Sequence, residues 1–135
     1  MFDNLTPEEA TIAYIIRAKK SFSDTITQYS IADEYMIRQG IEITPRKVRR
    51  IIEGLIKKGY PVISTPHQPN PGYCWYTYDS ERVECINRLR RKAAKIFIRA
   101  RRINRNCMAV KDKREKIEQK ELFEKFNLQS KLLWK

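Results

Sequence analysis

The stretch ITPRKVRRIIEGLIKKGYPVIST, residues 43–65, holds six lysines and arginines and a single acid, Glu53. Thr44 suits an N-cap and Pro45 the first helical position, and Gly59 marks the end of the helix. At about 100° per residue, Val48, Ile51, Ile52, Leu55 and Ile56 fall within one stripe roughly 140° wide. Arg46, Arg50, Glu53 and Lys57 lie opposite, flanked by Lys47 and Arg49. The spacing predicts a helix over 45–58 that buries one face and presents cations on the other. Past Gly59, Val62–Thr65 and Tyr73–Tyr78 are β-branched or aromatic runs around PHQPNPG. Two strands joined by a stiff proline-rich loop are expected there.

Upstream, LTPEEATIAYIIRAKK carries a Thr6-x-x-Glu9 capping box with Pro7 at the first helical position. This predicts a helix over 7–20 with Ile12, Ile15, Ile16 and the stem of Lys19 on one face. A short β-prone piece, Thr25–Tyr29, precedes a helix over 31–39 capped by Ser30, with Ile31, Tyr35 and Met36 turned inward. Gly40 closes that helix, and only Gly40–Ile43 separate it from the next cap. So short a connection folds two helices into a tight corner, as in a helix-turn-helix.

Downstream, Asp79 is expected to cap a long helix. Ile86, Leu89, Ala93, Ile96, Ala100, Ile103, Cys107 and Val110 recur at alternating three- and four-residue steps, an a/d seam. The rest of that surface is mostly arginine and lysine. Asp112 and Glu115 are placed to cap a separate last helix over 113–127, and the chain finishes with Leu132, Leu133 and Trp134. The fold class expected is mainly α with a small β-hairpin wing, a long basic helix and a C-terminal helix. The domains expected are 1–79 and a basic helical extension, 80–135.

The chain has 135 residues and a net charge of +12, distributed unevenly. Residues 1–42 carry four Lys/Arg against seven Asp/Glu, residues 43–60 six against one, and residues 80–106 ten against two. Positive charge confined to particular elements is the footprint of a nucleic-acid binder. The three cysteines are far apart and His67 is the only histidine. A disulfide framework, a metal cluster and a histidine-based triad are therefore not expected. Phosphate-cradling glycine loops, paired carboxylates and nucleophile motifs are absent, so neither catalysis nor a cofactor is expected. Acid-rich MFDNLTPEEA does not read as a secretory signal, and no run is long enough for a membrane span. A cytoplasmic protein of a bacterial host cell is the expectation.

Helix, short strand, helix, short turn, basic helix and hairpin over residues 5–79 resemble the winged helix-turn-helix fold. ITPRKVRRIIEGLIKKGYPVIST together with GYCWYTYD is similar to the winged-helix modules of small phage and prophage replication or regulatory proteins of Firmicutes. The resemblance implies double-stranded DNA binding, with recognition helix 45–58 in the major groove and wing 61–78 on the backbone or minor groove. Arg46 and Arg50 can reach guanine bidentately, Lys47 and Lys57 suit phosphates, Thr44 can meet a phosphate or base edge, and Arg49 joins the same DNA-contacting set. Gln68 and Asn70 are the expected wing-tip contacts. Arg91, Arg99 and Arg102 are expected along phosphates from the long helix.

The seam of the long helix admits two partners. It can pair with a second copy, giving a homodimer through residues 80–135, or fold back on residues 113–127 through a turn near Asn104–Asp112. A protein-interaction module is the competing reading of the whole chain. In that reading a phage-type inhibitor of a host or defence factor would bind protein or RNA through the winged helix and basic C-terminal helices.

Overall fold

The computed structural model describes residues 2–67 and 71–133, with side chains through residue 131. The described residues are mainly helical, with four helices and one two-stranded antiparallel sheet. They divide into two compact units, Met1–Leu89 and Arg90–Lys135. Among them, no helix is long and apolar enough to cross a membrane.

Helix α1 spans Pro7–Arg17 and begins with the full capping box. Glu9 N–H donates to Thr6 Oγ1 at 3.2 Å, and Thr6 N–H donates back to Glu9 Oε1 at 3.1 Å. It stops three residues before the expected end at 20. The Lys19 carbonyl accepts from Trp75 N–H at 2.8 Å, so the chain leaves the helix to meet the hairpin. Lys19 pairs instead with Asp24, at 3.1 Å.

Helix α2 spans Gln28–Gln39 and is capped by Thr27, whose hydroxyl accepts from Ser30 N–H at 3.1 Å. The expected cap at Ser30 therefore lies one turn too late. Ile26 exchanges two backbone hydrogen bonds with Tyr73, at 3.0 and 2.8 Å, and the helix starts as soon as that pairing ends. Ile31, Ala32 and Tyr35 are buried, whereas Met36, expected inward, is 53 % exposed. Gly40 closes the helix at φ 67°, a left-handed conformation that costs glycine no Cβ clash.

Helix α3 spans Pro45–Lys57, with the Thr44 hydroxyl accepting from Lys47 N–H at 3.1 Å. Gly59 at φ 95° ends it. Tyr60 N–H reaches the Leu55 carbonyl at 3.0 Å and Gly59 N–H the Ile56 carbonyl at 3.1 Å, a Schellman closure. Val48, Ile52 and Leu55 are fully or almost fully buried. Ile51 is half-buried, and Ile56, at the edge of the expected stripe, is exposed.

The core of the first unit packs α1, α2 and α3 around Ile12, Ile16, Ile31, Val48, Ile52 and Leu55. Strands β1 (Val62–Thr65) and β2 (Gly72–Trp75) pair antiparallel, from Val62 opposite Trp75 to Thr65 opposite Gly72. The second strand is shorter than expected, and Tyr76 and Tyr78 are exposed. Trp75 packs against the core, beside Phe2 and Tyr60.

Helix α4 spans Asp79–Leu133. This overturns two expectations, the separate last helix over 113–127 and the turn near Asn104–Asp112. Neither glycine nor proline occurs in that stretch, and Lys111 and Glu115 lie 4.0 Å apart at helical spacing. Asp112 and Glu115 are interior helix residues rather than caps. The first turns of α4 belong to the first unit. There Cys85 is buried, and Glu81 Oε2 accepts from Phe22 N–H at 2.6 Å.

Candidate nucleic-acid interface

The amphipathic pattern of α3 decides which of its side chains face solvent. Since Val48, Ile52 and Leu55 must be buried, the 3.6-residue period turns Arg46, Arg50 and Lys57 outward. These three and Arg49 are exposed and have no hydrogen-bond or ion-pair partner among the described residues. Glu53, spaced three or four residues from Arg49, Arg50 and Lys57, likewise has no ion pair among the described residues. The cations of this face are therefore not neutralised internally.

Lys47 differs from them. Its Nζ sits 3.0 Å from Glu8 Oε1 on α1, so a phosphate must displace a carboxylate to use it. Thr44 is exposed, but its hydroxyl accepts the Lys47 N–H, leaving its own proton to donate. Thr44, Arg46, Lys47, Arg50, Ile51, Gly54 and Glu9 line an open depression of about 480 Å³ at the start and outer face of α3. Helix α1 lends it one acid, Glu9, and the N-terminus of α3 adds a partial positive charge.

Gly54 lies on this outer face, one turn beyond Arg50, and a Cβ there would meet nothing within 4 Å. Neither the packing nor the backbone of α3 calls for glycine at that position, which costs roughly 0.5–1 kcal/mol relative to alanine.

Tyr73 of β2 sits within electrostatic reach of this helix. Burial pushes its hydroxyl pKa up, Arg49 opposes that, and Glu53 adds to it. Arg88, in α4, donates to the Ser64 carbonyl at 2.7 Å and to its hydroxyl at 3.0 Å. This arginine supports the hairpin rather than a ligand, a role invisible in a run of similar basic residues. In β2, Cys74 is fully buried and its thiol is pushed up to about 12, first by burial and then by Glu81 and Cys85. It is an inert packing thiol.

Gln68 and Asn70, the expected wing-tip contacts, lie outside the described residues. Arg91, Arg99 and Arg102 belong to the second unit, where all three are exposed on α4. Thr44, Arg46, Lys47 and Arg50 are thus brought to one surface, with Arg49 and Lys57 exposed on the same helix. Among the described residues, no group of three metal-ligating side chains occurs.

No family model matches the chain, and neither a curated protein nor a solved structure matches it.

Proposed function

We propose that this protein binds double-stranded DNA as a winged helix-turn-helix protein, with α3 as recognition helix and β1–β2 as the base of the wing. The observation that carries this reading is the solvent face of α3, where Arg46, Arg49, Arg50 and Lys57 are exposed without internal partners. A cation left unpaired beside available acids stays hydrated and free to take phosphate or a guanine edge. The corner between α2 and α3, and the rung that Ile26 adds to Tyr73 beside the hairpin, support the fold assignment. Together with the resemblance of residues 43–65 to phage modules, they favour a replication-initiation or transcription-regulatory factor acting in the cytoplasm of a bacterial host.

A gel shift with duplex DNA, single-stranded DNA and RNA at two salt concentrations tests the reading. A sequence selected from random duplexes should bind more tightly than bulk DNA, and its affinity should fall steeply as salt rises. Arg46→Ala and Arg50→Ala should each cost about 1–3 kcal/mol on the selected site and less on random duplex. Equal binding of wild type and both variants to the selected duplex would remove α3 as the reading element.

A further inference from the structure

Between Arg90 and Gln129 every residue of the second unit is exposed, and α4 is the element it contains. Intrinsic propensity stabilises a helix weakly; an amphipathic helix draws most of its stability from covering its apolar face. Here that face is open. Ile96 is 60 % exposed, Ile103 53 % and Ile117 57 %, and all lie on the seam with Ala93, Ala100, Cys107 and Val110.

We infer that this seam is covered by the same seam of a second copy, as a parallel, in-register, two-stranded coiled coil over residues 90–118. Charge decides both partner and direction. No acid occurs between Glu84 and Asp112, so a badly chosen register brings cations together. With Ala93, Ala100 and Cys107 at a, parallel pairing sets each g residue against the e residue five positions later on the partner. The pairs are then Lys92 with Phe97, Arg99 with Asn104, Asn106 with Lys111, and Lys113 with Glu118. None of these flanking pairs is like-charged, and the last is attractive. The seam itself carries one cationic layer, Arg114 at a, which meets its own copy, against the four repulsive contacts of the antiparallel form below.

Antiparallel pairing fares worse. The register that stacks Ala100 on Ile103 of the second copy places Lys92 by Lys113 and Arg90 by Lys111, each twice. Repulsion at those four contacts opposes the better volume match of a small residue against a large one. The alanine layers of the parallel form bury less area than leucine would. The dimer is accordingly concentration-dependent rather than obligate. This inference is independent of whether α3 binds DNA.

Light scattering on the full chain over a wide concentration range tests it. The mass should rise towards twice 16.1 kDa. Ile103→Lys, on the seam, should hold it at one chain, whereas Ile98→Lys, five residues earlier on the outward face, should leave the rise intact. Both side chains are already exposed, so the thermal transition of the first unit should be unchanged in either variant and reports that each is folded. Direction is read from Cys107, the exposed cysteine, since Cys74 and Cys85 are buried. Treated with diamide, which takes up the two thiol protons and two electrons, the wild type should form a disulfide-linked dimer that Cys107→Ser abolishes. A single-chain mass at every concentration, or a dimer indifferent to Ile103→Lys, overturns the proposal. A dimer without the Cys107 disulfide overturns the parallel register.

Discussion

Arg88 donates to Ser64 twice, at 2.7 Å to the carbonyl and 3.0 Å to the hydroxyl, and so ties the third turn of α4 to strand β1. The hairpin pairs only four residues on each side, too little for independent stability. Its position relative to α3 depends on such outside support.

Replacing this arginine tests that support. Arg88→Ala removes charge-assisted hydrogen bonds at a half-buried site, and should cost about 1–2 kcal/mol, or roughly 5–10 °C in thermal midpoint. Calorimetry measures it. A midpoint equal to that of wild type would mean that the hairpin is held by its apolar contacts alone.

Gly54→Ala should act in two opposite directions. The added Cβ meets open space, and alanine relieves the entropic cost of an interior helical glycine, so denaturant unfolding should show a gain of about 0.5–1 kcal/mol. If α3 reads DNA as proposed, duplex affinity should fall, because Gly54 lines the same depression as Arg46 and Arg50. A more stable variant with unaltered DNA affinity would place the contact nearer Arg46.

Gly72→Ala should be damaging. Gly72 has φ 145°, and a Cβ there would lie 2.5 Å from the Ile26 carbonyl oxygen, against backbone that cannot yield. Relief requires breaking the pairing of Ile26 with Tyr73. A loss of more than about 2 kcal/mol in chemical denaturation is expected.

Acid should release the tie between α1 and the end of α3. Lys58 Nζ lies 3.0 and 2.9 Å from the two carboxylate oxygens of Glu9, which also takes part in the Thr6 capping box. Lys58 foremost, then the Thr6 backbone, holds the Glu9 carboxyl below its ordinary 4.5. Because the folded pKa is depressed, the contribution is fully present above 4.5 and is lost as pH falls through the lowered value. Thermal midpoints of wild type and Lys58→Gln should therefore differ at neutral pH and converge in acid. A constant gap across that window would show that Lys58 acts through the Asn4 carbonyl, 3.3 Å away, instead.

What the sequence alone determined was everything governed by short range. The capping box of α1, the Thr44 cap, the left-handed ends at Gly40 and Gly59, and the inward set Val48, Ile52 and Leu55 all follow from residues within about a turn or two of one another. The outward set Arg46, Arg50 and Lys57 follows too, because burying one face of a helix dictates the other. Longer-range matters needed the tertiary structure. Residue 26 pairs with residue 73, which starts α2 at Thr27 and makes Ser30 an ordinary first-turn residue. Trp75 takes the Lys19 carbonyl and so ends α1 early. Glu8 claims Lys47, Ser64 claims Arg88, and Met36 stays outside because Ile31 and Tyr35 already fill the inward face of α2. Local periodicity states which groups need a partner. It cannot say which distant group arrives, because that depends on how the packed elements bring together residues far apart in the chain.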